Sequence, residues 1–257
     1  EGGSISKPYA TGSVSGTFGV GGLIGSGYDY GLNYGEITAS FYATSDTQGS
    51  SINNGGAVGG AFAGNGVGVG KTWEELTQAS TFAGWNIAST GGTNADWRIY
   101  EGHTGPLLRS FLQQVTVSAN AGGIIGKTYD GSVASGTTSY TTNVSGAALD
   151  GSLTYATHSK NAGNYSKANG TLTLGGLYSG QQGYDISYAN TNAALTIDKK
   201  ALAVTGITAS NKTYNGTTAA TLDTTHASYA GIVSGDSLSV GSASGAFADK
   251  NAGTGKT

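Results

Sequence analysis

Three tyrosines close together, Tyr28, Tyr30 and Tyr34, are the first side chains in this chain that could do chemistry on a ligand. Set in a Gly-rich stretch, their rings would form a loose exposed patch, and an aromatic face with a polar tip suits stacking on a sugar. They are the candidate glycan contacts. Other constellations fall short of a site. Gly66-Val67-Gly68-Val69-Gly70-Lys71-Thr72 imitates a phosphate loop, but the motif needs a Gly where Asn65 stands. Tyr129-Asp130-Gly131 could be a calcium loop, yet Asx-Gly is the usual tight-turn pair. Its recurrence with Asn215 in place of Asp130 removes the carboxylate that a cation would want. His103, His158 and His226 share no spacing, and no G-x-S-x-G elbow stands with partner acids. Glu74 and Glu75 are adjacent, so a helix would point them apart; they read as first-turn acids favoured by the helix dipole. Asp29 and Asp46 lie among turn residues with no acidic cluster around them. No catalytic, cofactor-binding or metal-binding residue is expected, and the chain is not expected to be an enzyme.

The elements that would carry these residues are strands. Ile5-Ser6 returns as Ile37-Thr38, and Tyr9-Ala10-Thr11 returns at a spacing wider by one as Tyr42-Ala43-Thr44. Val20-Gly21-Gly22-Leu23-Ile24-Gly25 is echoed by Val58 to Gly64. Short Gly-punctuated strands at a near-fixed period suit a β-solenoid, in which each coil lies on the one before. Thr72, with Glu75 three positions on, predicts a capped helix start, and Trp73 and Leu76 fall on one face of it. All three Trp and a dense apolar run lie between residues 73 and 112, which reads as a cap over the open end of the solenoid. From Val115 the pattern changes to alternating strands: Val115 to Ser118, Thr171 to Leu174, Tyr184 to Tyr188 and Leu195 to Ile197. Their Gly- and Asn-bearing turns fit a small β-sandwich.

A duplication organises this second part. Lys127-Thr128-Tyr129-Asp130-Gly131 returns as Lys212-Thr213-Tyr214-Asn215-Gly216. Each copy is followed by Lys-Asn-Ala-Gly, at Lys160 to Gly163 and Lys250 to Gly253. Paired signatures at domain-sized spacing mean tandem modules. The first copy runs on past Gly163 to the strand-like Ala194-Leu195-Thr196-Ile197, whereas only Thr254 to Thr257 follow Gly253. The chain is therefore expected to be a piece of a longer array. The expected domains are 1–112, solenoid with capping segment; 113–199, first module; and 200–257, second module, incomplete. The fold class is all-β and elongated: a short β-solenoid followed by tandem sandwich-like modules of immunoglobulin or β-grasp size.

Composition agrees. Gly supplies 46 of 257 residues, and charged residues are only 11%, against about 25% in ordinary soluble domains. Disorder would bring high net charge and few aromatics, whereas here the net charge is −3 with 15 Tyr. With no Cys there is neither a disulfide nor a thiolate metal site. The slightly acidic balance argues against nucleic acid, and without a long uninterrupted apolar run no membrane insertion is expected.

The phrases GSISKPYATGSVSG and VGGLIG resemble the Gly-rich GLUG repeats of large bacterial surface proteins, and Trp73 to Leu112 is similar to the segment that often closes them. KTYDG…KNAG and KTYNG…GIVSGDSL…FADKNAG resemble YDG and related MBG modules, although residues 132–160 lack a GIVSGDSL-like element. Such modules are strung together in filamentous-haemagglutinin-like adhesins exported by two-partner secretion. The resemblance implies a secreted rod at the bacterial surface or in biofilm matrix, with an outer-membrane secretion partner and no catalytic residues. Expected partners are extracellular polysaccharide or host glycan, and the chain itself by self-association. The alternatives are a carbohydrate-binding module and a self-polymerising filament subunit; a polysaccharide lyase or hydrolase would need paired acids on one face, and residues 1–112 offer none.

Overall fold

The computed structural model describes residues 5–16, 20–24, 37–53 and 68–256. Among them the fold is all-β. Helix is confined to Trp73–Leu76 and two 3-10 turns, Ala79–Phe82 and Arg109–Phe111. The sheets hold two or three strands each, and none closes on itself. The chain divides into two compact units. One comprises Glu1–Ser118, Tyr140–Leu153 and Gly176–Ala189; the other comprises Ala119–Ser139, Thr154–Gly175 and Asn190–Thr257. Strands from the stretch between 113 and 198 therefore contribute to both.

In the first unit, short parallel strands pair rung on rung. Ile5–Ser6 pairs with Ile37–Thr38. Tyr9–Ala10 pairs with Phe41–Ala43, which pairs in turn with Val69–Lys71. The side chain of Asn53 ties these rungs together, donating to the carbonyls of Gly12 and Ala43 and accepting from the Val14 amide. The register corrects the expected match of Tyr9 with Tyr42. Tyr9 sits opposite Phe41 and Ala10 opposite Tyr42, so this rung keeps the step that carries Ile5 to Ile37. A slip by a single position turns every side chain to the other face of a strand. Here the choice is made by an aromatic cluster. Tyr9 and Phe41 share the face toward Phe82 and Trp85, with ring centroids 5.2–6.2 Å apart. Tyr42 turns the opposite way, onto Gly22 and Gly70, where an added Cβ would lie 2.6 and 2.8 Å from its ring or hydroxyl.

The helix start forms as the spacing predicts. Thr72 Oγ1 accepts the Glu75 amide and Glu75 Oε2 accepts the Thr72 amide, a complete capping box. Leu76 is fully buried, whereas Trp73 on the same face is half-buried. Leu76, Phe82, Trp85, Ile99 and Ala43 form the core, flanked by Tyr9, Phe41, Ile87 and Trp97. Ile87–Ala88, Trp97–Arg98 and Leu107–Leu108 then make a three-stranded sheet. Gln113–Ala119 lies between Tyr140–Thr142 and Tyr184–Tyr188, and buries Val115, Val117 and Ala119 at alternate positions.

In the second unit, Ala194–Asp198 lies between Lys127–Thr128, to which it is parallel, and Gly163–Ser166, to which it is antiparallel. Ser135–Thr137 pairs antiparallel with Thr154 to Ala156. Beyond residue 200 come only two-stranded antiparallel ribbons. Ala203–Thr205 pairs with Ser228–Ala230, Thr208–Ala209 with Leu222–Asp223, and Ala219–Ala220 with Gly245–Ala246.

Candidate functional site

The chain has two arginines, Arg98 and Arg109, and both reach one carboxylate in the first unit. Trp97–Arg98 aims Arg98 inward, and the 3-10 turn Arg109–Phe111 begins at Arg109. Asp185 occupies the second position of Tyr184–Tyr188 and has no exposure to solvent. Its Oδ2 is paired with Arg109 Nη1 and accepts Gln114 Nε2 at 2.6 Å and the Gly92 amide at 3.1 Å. Its Oδ1 lies 3.3 Å from Arg98 Nε without the alignment of a hydrogen bond, leaving those two atoms a Coulombic attraction alone.

Backbone carbonyls share the excess positive charge. Arg98 Nη1 donates to the carbonyls of Ala88 and Ile99, and Arg109 Nη2 to that of Thr90. The Arg98 guanidinium also lies 3.9 Å from the centroid of the Tyr100 ring, a cation–π contact. Burial pulls Arg98 below its usual value, with Tyr100 and Asp185 opposing. The Tyr100 hydroxyl donates to the Tyr184 carbonyl at 2.6 Å and accepts the Ile186 amide at 3.1 Å; burial raises its pKa. Gly91 lets the loop close over this strand, since a Cβ there would stand 2.0 Å from the Ile186 carbonyl oxygen. The cluster locks the Trp- and Arg-bearing segment onto Tyr184–Tyr188. Arg109 Nε is left without a hydrogen-bond partner.

The repeated phrase forms the same turn twice in the second unit. In the first copy, Asp130 Oδ1 accepts the Ser132 amide and hydroxyl, and Lys127 Nζ closes over the loop onto Asp130, Ser132 and the Val133 carbonyl. In the second, Asn215 Oδ1 accepts the Thr217 amide and hydroxyl, and Lys212 Nζ bonds Thr217 and the Ala219 carbonyl. Gly131 and Gly216 follow at φ +83° and +76°, where only Gly is unstrained. The Lys127 ammonium and the Ser132 donors hold the Asp130 carboxyl well below the usual carboxylate range. Asn215 keeps the amide and hydroxyl bonds without a charge and without the lysine contact, so a turn and not a cation explains the motif.

The other candidates do not converge. Tyr28, Tyr30 and Tyr34 lie outside the described residues. Lys71 of the phosphate-loop mimic belongs to a strand and pairs with Glu75 at 2.8 Å. His103 stacks on Tyr178, while His158 bonds Thr173. Among the described residues no three metal-ligating side chains cluster, and no helix is long and apolar enough to cross a membrane.

Several exposed apolar side chains follow residue 200. No residue from 200 to 256 is buried, and Leu202, Val204, Ile207, Tyr214, Ile232 and Leu238 stand 37–63% exposed. Residues 198–257 match the YDG domain. No curated protein and no solved structure matches the chain.

The Arg98–Arg109–Asp185 cluster was not anticipated from sequence. Its signal was there to read: two Arg in a chain poor in charge, and an acid between the apolar positions of a strand.

Proposed function

We propose that this chain is a structural and adhesive segment of a large bacterial extracellular surface or biofilm-matrix protein, a rod-like stalk that works through many weak contacts. In this reading the parallel rungs of residues 5–71 are turns of a short GLUG-type β-solenoid, closed by the segment from Trp73 to Leu112 and followed by sandwich-like modules. Export would follow the two-partner route. The observation that carries the reading is the duplicated turn: two Lys-Asx loops, one at Lys127 and one at Lys212, commit their polar groups to backbone shape alone. Repetition of a purely architectural unit serves length and display. Multivalent display raises avidity by about 10²–10⁴ over a single contact. Beads coated densely with the chain should therefore hold to polysaccharide-coated surfaces at least about a hundredfold longer than the monomer. Equal retention of monomer and beads, or turnover of the polysaccharide, would exclude the stalk.

A second reading, a carbohydrate-binding module, is favoured by a cleft of ≈ 530 Å³ in the first unit lined by Ser45, Asp46, Ser51, Thr72, Trp73 and Glu74, among others. The Trp73 amide donates to Ser45 Oγ at 2.9 Å, fixing the helix start beside the Asp46 turn. Hydroxyls, two carboxylates and an indole are the groups a neutral sugar would use. Saturable binding of a neutral oligosaccharide that Trp73→Ala abolishes would establish it; binding untouched by that change would remove it.

A further inference from the structure

Five asparagines stand in the spelling Asn-x-Ser/Thr: Asn143, Asn164, Asn169, Asn211 and Asn215. In an exported chain that spelling is an acceptor for sugar. Two of the five are folded alike. Asn169-Gly170-Thr171 and Asn215-Gly216-Thr217 each turn on a glycine, at φ +72° and +76°. In each, Asn Oδ1 accepts both the amide and the hydroxyl of the Thr two positions on. The other three differ. Their middle residues, Val144, Tyr165 and Lys212, have no positive φ. Asn143 Oδ1 accepts the Thr116 amide at 2.7 Å, and Asn164 Oδ1 the Thr196 hydroxyl at 2.8 Å.

The hydroxyl in each of the two turns is itself driven. Thr171 Oγ1 accepts the Ser166 amide at 3.0 Å, and Thr217 Oγ1 accepts the Lys212 ammonium at 2.9 Å. Each hydroxyl then gives its own proton to Asn Oδ1, and the bond it receives polarises the bond it gives. At Thr171 the Ser166 carbonyl, at 3.4 Å, is the weaker competitor for that proton. An amide nitrogen is a poor nucleophile because its lone pair is delocalised into the carbonyl. It attacks as it sheds a proton, and negative charge gathers on the oxygen. Two donors already aimed at Oδ1 stabilise that charge where it develops. The shape of the turn does not need the amide, since Asp130-Gly131-Ser132 folds the same way with a carboxylate. What shape leaves over is Nδ2. Asn169 and Asn215 are exposed, and a Cβ added at Gly170 or Gly216 would meet nothing within 4 Å.

We propose that Asn169 and Asn215 are glycosylation sites, modified at Nδ2 by a transferase that takes a sugar activated through an anomeric phosphate. The bond from Nδ2 to the anomeric carbon forms, and the bond from that carbon to the departing phosphate, carried on a nucleotide or a lipid, breaks. The Nδ2 proton passes to a base of the transferase. The Thr amide and hydroxyl hold Oδ1 throughout, so the turn keeps its shape while the nitrogen reacts. The attached sugar adds polar bulk at the surface without displacing a bonded group of the turn.

The test is peptide mapping by mass spectrometry of the protein isolated from the cells that make it. Sugar should be found on Asn169 and Asn215, at an occupancy at least about tenfold above that of Asn143, Asn164 and Asn211. A single sugar marks a nucleotide-activated donor, and a preassembled oligosaccharide a lipid-linked one. Gly170→Val, made in the same cells, keeps the spelling but disfavours the positive φ. It should empty Asn169 and leave Asn215 occupied, the second site serving as the control within the same chain. A bare Asn169 or Asn215, deamidation there in place of sugar, equal occupancy of all five asparagines, or full occupancy of Asn169 in Gly170→Val would each overturn the proposal. The readout is a covalent mass and involves no adhesion, so its failure is distinguishable from failure of the stalk reading.

Discussion

Asp185 holds two guanidiniums whose side chains are at most 10% exposed, and its removal would leave them facing each other. Asp185→Asn keeps the shape but strands Arg98 and Arg109 without a counter-charge. Breaking a buried pair this way costs about 3–5 kcal/mol, whereas replacing the whole set by apolar residues of similar volume is often neutral. Denaturant titration should show that loss for Asp185→Asn, and most of it restored when Asp185→Leu, Arg98→Met and Arg109→Met are combined. If the single change costs no more than an exposed ion pair, the cluster is not the lock described above. The two turns offer a second comparison at this scale. Asp130 has a depressed folded-state pKa, so its contribution is present above the unfolded value of about 3.9 and is lost as pH falls through the lower folded value. Asn215 does not titrate. On acidification the Ser132 amide should therefore hold its position through about pH 4 and shift in NMR spectra only well below it, while the Thr217 amide stays put throughout.

Among the elements, the loop over Tyr184–Tyr188 is sensitive to one added carbon. Gly91→Ala drives a Cβ into the Ile186 carbonyl, and relief requires moving either the loop or the strand. A cost of about 1–3 kcal/mol is expected from calorimetry, with the Asp185 contacts loosened in the same variant. Thr72→Ala should cost about 1 kcal/mol through loss of the capping box. The local elements were legible because their causes are local: the cap at Thr72 and Glu75, the Asx-Gly turns and the period-2 alternation of Val115 and Val117 all act over a short stretch of chain. Register was legible only to within a single position. The phrase match set Tyr9 against Tyr42, and the decision for Phe41 came from Phe82 and Trp85, far along the chain. The members of the ionic cluster stand out singly in the sequence, but their meeting was illegible for the same reason. Asp185 meets Arg98 and Arg109 across most of the intervening fold, and no local pattern announces such a meeting.

For the whole molecule, stability should be uneven. Val115, Val117, Leu153, Ile186 and Ile197 are at most 1% exposed, whereas the strands after residue 200 carry no buried side chain. Regions with few buried apolar contacts open first. Limited proteolysis should cut between residues 200 and 256 well before it cuts between 113 and 198. Comparable resistance of the two stretches would mean that the exposed side chains after residue 200 are already covered in solution. The placement of the aromatic cluster has an optical corollary. Trp73, Trp85 and Trp97 all belong to the unit containing residues 1–118, and the other unit has no indole. Indole emission is thus a private signal of one half of the polypeptide, and phenol emission, spread over both, is a common one; a melt followed in both channels would resolve two events if the halves come apart separately.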